Sequence, residues 1–332
     1  MNGGRQAAFP PWLEGHLGPL IRLISSGHTP PGLLVTGPKG VGKGVLVRAF
    51  LQRMACTEAA EGLFGCGRCN GCRSFRGGTH PEILQVTPEA PGKEIVVDSI
   101  RSVIEFLSLS HGGPARMVFI EPAEAMNVNA ANALLKTLEE PPGGAMLLLA
   151  AAQPARLPAT VRSRCRLLRV PVPERAALRN WLIPFEQDEL SADEALAACL
   201  DRPLEARALL DDEAAQAAWR SDRTALETLL RSESPFPVIQ RFLECDLASL
   251  LPRLQRLLVS AQHYLVQGET DAFARLFGTD LLGPFAAGLG MRETALLYQD
   301  SLQWQRELQA PLNPNLRCED IVLRFWRRVG PS

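Results

Sequence analysis

An excess of charge of either sign is missing from this chain: its 332 residues carry a formal net charge of −1. A balance so near zero argues against a surface that attracts nucleic acid as a whole, and against an acidic tail; any such signal must be local. Long apolar runs are missing too. The longest, residues 145–152, falls well short of the roughly 20 residues that cross a bilayer. Met1-Asn2-Gly3-Gly4-Arg5 lacks the charged-then-apolar order of a signal peptide, so the expected location is cytoplasmic. The length suits two or three domains, and 46% hydrophobic residues is ordinary for a packed globular protein.

A third absence is a single hydroxyl. Gly37-Pro38-Lys39-Gly40-Val41-Gly42-Lys43-Gly44 fits a phosphate-binding loop at its first seven positions. Gly37, Gly40 and Gly42 let backbone N–H groups turn toward a phosphate, and Lys43 would reach the outer phosphates. The eighth position, normally Ser or Thr, ligates Mg²⁺; Gly44 cannot. The flanks are right for such a loop. Leu33-Leu34-Val35-Thr36 reads as a short buried strand, and residues 45–51 continue as a helix. A preceding helix spans residues 13–24 and breaks at His28-Thr29-Pro30-Pro31-Gly32.

Of eight cysteines, Cys56, Cys66, Cys69 and Cys72 are bunched in a Cys-x9-Cys-x2-Cys-x2-Cys spacing. Such turns place thiolates about 2.3 Å from one ion, as tetrahedral zinc requires. Four sulfurs leave no position for water, which points to a structural Zn²⁺ rather than a catalytic one. The glycine-rich segment around them has little apolar surface with which to fold alone. An iron–sulfur cluster and a redox pair are the weaker alternatives, and His80 reads as a turn residue beyond the completed ligand set.

Further on, Asp98 or Ser99 is expected to cap a helix bearing Ile100, Val103, Ile104 and Leu107 on one face. Met117-Val118-Phe119-Ile120 is the next buried strand. In a hydrolysing P-loop protein this strand ends in Asp, often Asp-Glu, to hold Mg²⁺ and polarise water. Here it ends Glu121-Pro122-Ala123-Glu124, with Pro122 in the place of the water-activating acid. A helix over residues 127–140 follows, stopped by Pro141-Pro142. The strand after it ends Ala150-Ala151-Ala152-Gln153, where only Gln153 is polar. Arg156, Arg162, Arg164, Arg166 and Arg169 then put five arginines in fourteen residues. Composition leaves two readings level: a solvated basic rim, or a finger delivered in trans to a neighbour's γ-phosphate.

Asn132-Ala133-Leu134-Leu135-Lys136-Thr137-Leu138-Glu139-Glu140-Pro141-Pro142, with Arg162-Ser163-Arg164-Cys165, resembles the signature of bacterial clamp-loader subunits of the AAA+ class. The four-cysteine insert is similar to the zinc module of that family. The resemblance is specific over residues 30–170 and weaker beyond. It implies α/β plus all-α architecture: a parallel-sheet P-loop domain (1–170) with a zinc insert (about 55–78), a helical lid (171–211) and a helical collar (212–332). Family members differ at the nucleotide site. The tau/gamma kind keeps Gly-Lys-Thr and Asp-Glu and hydrolyses ATP; another kind has a degraded site, acts as a rigid stator and donates an arginine finger. Gly44 and Pro122 place this chain with the second kind, with Arg164 as the finger and Gly37, Gly40, Gly42 and Lys43 as a degenerate phosphate loop. Lys43 is the one residue that still favours nucleotide binding. The implied partners are the tau/gamma and delta subunits, the sliding clamp and primer–template DNA. The rival reading is an ATP-hydrolysing motor subunit; a stand-alone zinc-dependent nucleic-acid binder is weaker.

Past the stiff Val170-Pro171-Val172-Pro173 segment, helical patterns dominate. Ser191-Ala192-Asp193-Glu194 is a capping box. The family's lid carries a sensor arginine in a Gly-Ser-Leu-Arg-like turn; the corresponding Asp201-Arg202-Pro203-Leu204-Glu205 lacks it, which leaves Arg202 or Arg207 as the candidate substitute. Leu254, Leu257, Leu258 and Ala261 share one helical face; Val322, Phe325, Trp326 and Val329 share another. Trp219, Trp304 and Trp326 are expected in a bundle core, and His263 and Tyr264 as packing or surface residues.

Overall fold

The computed structural model describes residues 9–26, 30–58, 62–90, 92–108, 116–186, 190–232, 234–308 and 313–329. Two compact units divide between Glu174 and Arg175. The first is built on five parallel strands: β1 (Gly32–Thr36), β2 (Ile83–Val86), β3 (Met117–Ile120), β4 (Met146–Ala151) and β5 (Arg166–Arg169), in the order β2-β3-β4-β1-β5. Its helices are α1 (Pro11–Ser25), α2 (Lys43–Ala55), α3 (Asn70–Arg76), α4 (Val97–Ser108), α5 (Val128–Ala133), α6 (Leu135–Glu139) and α7 (Ala159–Arg162).

Alternation along β4 explains why its sequence is apolar throughout. Met146, Leu148 and Ala150 enter a core with Leu13 and Leu17 of α1 and Leu46, Val47 and Phe50 of α2. Leu147, Leu149 and Ala151 enter a second core with Ile100, Val103 and Leu107 of α4 and Ala130 and Ala131 of α5. Successive side chains point to opposite faces, and a parallel sheet covered on both needs apolar residues at every position. The edge strand β5 is different: Arg166, Leu167 and Arg169 are exposed. His28 and Thr29, the expected breaker, lie outside the described residues.

Two expected helices are adjusted. The α4 helix starts at Val97, so Asp98 sits in its first turn and pairs with Arg101 at 2.8 Å instead of capping. The parallel bridge between Ile95 and Met126 fixes where the chain enters that helix. The helix over 127–140 is two segments that meet at Leu134, whose φ of −77° and ψ of −18° remain helical. Asn127 caps the first by accepting from the Ala130 N–H at 2.9 Å.

The second unit is helical: α8 (Arg175–Leu182), α9 (Ala192–Ala198), α10 (Pro203–Asp211), α11 (Glu213–Arg231), α12 (Pro235–Leu243), α13 (Leu247–Gln267), α14 (Thr279–Glu307) and α15 (Pro314–Val329). Ser191 caps α9 by accepting from the Glu194 N–H, as the capping box predicts. Leu254, Leu257, Leu258 and Ala261 are buried, as are Trp219 and Trp304. On α15 the buried face is Cys318, Ile321, Val322 and Phe325. Trp326 is half-buried and the Val329 side chain lies outside the described residues. Among the described residues no helix is long and apolar enough to cross a membrane.

Leu148 is fully buried in the middle of β4. The Leu148→Ala protein should lose about 2–5 kcal/mol of stability by urea unfolding. A loss below about 1 kcal/mol would mean that the site collapses around the deletion and that the core is looser than described.

Candidate functional site

The glycine loop leaves the C-terminal end of β1, where open parallel sheets bind ligands. Gly37, Gly40 and Gly42 have φ of +157°, +77° and +105°, backbone that side chains other than glycine's rarely adopt. Lys43 is 8% exposed. Its ammonium donates to the loop's own carbonyls, at 2.9 Å to Gly37 and 2.8 Å to Pro38. Burial lowers its pKa, against the opposing pull of Glu124 and Glu121.

Gly44 has a physical partner that sequence reasoning missed. A Cβ at this position would collide with both carboxylate oxygens of Glu121 and sit 2.6 Å from an Nη of Arg48. Arg48, one turn along α2, pairs with Glu121 at 2.7 Å, and its guanidinium lies 5.4 Å from the Phe119 ring centroid. The place of a metal-binding hydroxyl is thus taken by an internal carboxylate with its own cation. Both side chains are partly exposed, so the pair contributes on the order of 0–1 kcal/mol. The only advance signal was an arginine four residues after Gly44 on the same helix face. Glu124, at the foot of the same turn, accepts from the N–H groups of Ala152 (2.8 Å) and Gln153 (3.1 Å). It fastens the end of β4 where a polar sensor was sought.

Cys56, Cys66, Cys69 and Cys72 converge, with all four sulfurs within 4.8 Å of one another. The Cys69 and Cys56 sulfurs are 3.9 Å apart. A tetrahedral zinc with sulfurs at about 2.3 Å sets them about 3.8 Å apart. Backbone N–H groups of Cys66, Cys69 and Cys72 donate to the sulfurs of Cys56, Cys66 and Cys69, which favours thiolate. The Cys72 N–H leads in holding the Cys69 thiol down to about 5. Burial pushes Cys72 up to about 12. A Cβ at Gly71 would run into the Ala55 carbonyl, so glycine there lets α3 dock on the end of α2. The donor set and spacing fit a soft tetrahedral ion, zinc above all. His80 stands apart, accepting from the Glu82 N–H at 3.2 Å in its turn.

Arg164 lies just past α7. Its Nε donates to Glu139 Oε1 at 2.6 Å, one Nη donates to the same oxygen, and the other donates to the Thr160 carbonyl at 3.0 Å. Glu139 is the second residue that sequence reasoning passed over. Beneath them, a Cβ on Gly32 would meet Leu138 Cδ2 at 2.7 Å and Cys165 Sγ at 2.9 Å, so the start of β1 packs closely under both segments. Burial raises the Cys165 thiol to about 11, in keeping with a packing role. Arg156, Arg162, Arg166 and Arg169 are exposed and make no ion pair among the described residues. In the second unit Arg202 pairs with Glu205, and Arg207 pairs with Asp211 while lying 3.3 Å from the Phe185 ring centroid.

β1 separates the two features. Leu33 is level with Arg166 and Thr36 with Arg169, so Arg164 sits beyond the N-terminal end of β1 and the loop beyond its C-terminal end. Five residues of strand span about 16 Å.

A family model described as "DNA polymerase III, delta subunit" matches residues 15–174. DNA polymerase III subunit delta' of Escherichia coli K12 is 37% identical over 340 residues, covering 97% of this chain and 96% of that protein. The chain belongs to the delta' subunit family of DNA polymerase III. The Pseudomonas aeruginosa delta' is 42% identical over 181 residues, 53% of this chain and 54% of its own length. The E. coli tau subunit is 28% identical over 175 residues, 52% of this chain and 27% of its own. A solved gamma subunit-related protein from Thermotoga maritima, at 20% identity, covers 94% of this chain and 99% of its own with a TM-score of 0.53, a likeness of fold. The parallel sheet and the helical second unit agree with that likeness of fold, and this chain carries the four-cysteine cluster within its first unit.

The delta' chain purified without chelators should carry zinc in equal proportion to protein by elemental analysis. Cys69→Ser should lose it, and acidification should release it, because protons compete for the thiolates. Retention of full metal content by Cys69→Ser would refute the cluster as the site.

Proposed function

We propose that this delta' chain is the stator of the clamp loader: it hydrolyses no ATP itself and lends Arg164 to a neighbouring subunit's nucleotide. The observation that carries the reading is the separation along β1. A guanidinium at one end of a strand of about 16 Å cannot reach a phosphate at the other, which supports a role for Arg164 on another chain's nucleotide. Arginine suits the task, since its planar charge pairs with phosphate oxygens and stabilises charge that develops in transfer.

The chain's own loop supports the same view. Gly44 offers no hydroxyl, Glu121 and Arg48 fill its surroundings, and Pro122 offers no carboxylate. Lys43 bonded to Gly37 and Pro38 is consistent with a loop kept for architecture. The four cysteines hold structural Zn²⁺ in this reading. Residues 171–211 act as the lid and 212–332 as the collar that assembles with the tau/gamma and delta subunits. Exposed Arg156 and Arg162 serve the interface or the backbone of primer–template DNA, through contacts that weaken with salt. The work is cytoplasmic, on a sliding clamp placed for the replicative polymerase.

The isolated chain should show no Mg²⁺-dependent ATP hydrolysis, and Gly44→Thr should not create any. Threonine there has to move the Glu121 carboxylate and the Arg48 guanidinium aside, the flexible ends of a weak exposed pair, but Pro122 still supplies no acid. Turnover by either protein that Lys43→Ala abolishes would favour the motor-subunit reading. In a loader reconstituted with tau/gamma and delta subunits, Arg164→Ala should leave assembly intact and reduce ATP turnover; unchanged turnover would remove the finger assignment.

A further inference from the structure

The guanidinium of Arg164 has five N–H donors, and the structure accounts for three. Nε and one Nη face Glu139 Oε1, and the second Nη faces the Thr160 carbonyl. One N–H on each terminal nitrogen is left, enough to donate to two oxygens of one phosphate. We infer that Glu139 is a positioning residue for Arg164: it grips the side edge of the guanidinium and turns the terminal edge outward toward a phosphate on a neighbouring subunit. The inference rests on the proposed role of Arg164 and assigns a second residue to that site.

Three features favour presentation over permanent sequestration. Glu139 uses a single oxygen, Oε1, for both bonds, so the grip leaves the far edge clear. The Arg164 side chain is 35% exposed and that of Glu139 is 50% exposed, so solvent screens their attraction and a phosphate can compete with it. The backbone beneath both is held. Leu138 precedes Glu139, Cys165 follows Arg164, and both press on Gly32 at the start of β1. Neighbouring residues on two segments far apart in sequence are thus set against one point of the sheet. A side chain fixed in this way loses less rotamer freedom when it meets its target.

The test uses the reconstituted loader with ATP as substrate, comparing Arg164→Ala, Glu139→Ala, Glu139→Gln and the Arg164→Ala/Glu139→Ala double variant. Glu139→Ala should lower kcat by about tenfold, with KM for ATP unchanged, because a misplaced group loses transition-state contacts and not ground-state binding. Glu139→Gln keeps an oxygen to accept from Nε and should recover most of that loss. In the Arg164→Ala background Glu139→Ala should add nothing, since two residues acting through one group are not additive. A merely structural role for Glu139 predicts the reverse: the loss persists without Arg164, and melting temperature or assembly falls with it. If Arg164→Ala lowers turnover while Glu139→Ala does not, the positioning role is overturned and the finger stands. If Arg164→Ala leaves turnover unchanged, both fall together.

Discussion

One strand of five residues fixes the chemistry of this molecule. β1 lies between β4 and β5, buried on both faces, and it cannot shift without disturbing both cores. Its last residue hands the chain to the glycine loop. Its first, Gly32, lies under Leu138 and Cys165 and so fixes the height of Glu139 and Arg164. Loop and arginine are therefore held a strand's length apart. Their distance is a property of the sheet, and no rotamer change brings one to the other. In the proposed reading, a glycine loop and an arginine at opposite ends of one strand suit an assembly in which each chain faces two neighbours.

The loop end satisfies itself. Here Lys43 bonds to backbone carbonyls, and Glu121 meets Arg48 across the space over Gly44. Each contact is modest; an exposed ion pair contributes about 1 kcal/mol at most. Their effect is that the charges at this end of the strand offset one another locally. The cysteine module does comparable work by another means. With little apolar surface of its own, it relies on four sulfurs around one point and on the close approach of α3 to α2 through Gly71. The loop end thus keeps its fold by internal pairing, and the arginine end keeps donors free.

Features governed by local spacing were legible before any coordinates. The glycine loop, the Cys-x2-Cys turns, the Ser191 capping box and the apolar run of β4 each follow from a few adjacent residues. Features that depend on the sheet were not. Arg48 and Glu121 are 73 residues apart and Arg164 and Glu139 are 25 apart; only the strand order brings them together. Glu139 is visible in a motif but reads as the end of a helix, because nothing in a linear chain says that α6 and the segment following α7 share the floor at Gly32. The buried face of α15 was displaced toward Cys318 and Ile321 for a similar reason. Periodicity gives the width of a stripe, and the packing of α12 and α14 against it chooses where the stripe lies.

The central claim is that this chain acts on a nucleotide it does not hold. It is tested most directly in a loader where only the subunit facing Arg164 keeps a functional phosphate-loop lysine, so that all remaining turnover comes from that one site. Arg164→Ala should then reduce ATP hydrolysis by about a thousandfold or more, the range an arginine finger commands, with the complex still assembled. Turnover within about twofold of the unsubstituted loader, far outside that range, would contradict the account.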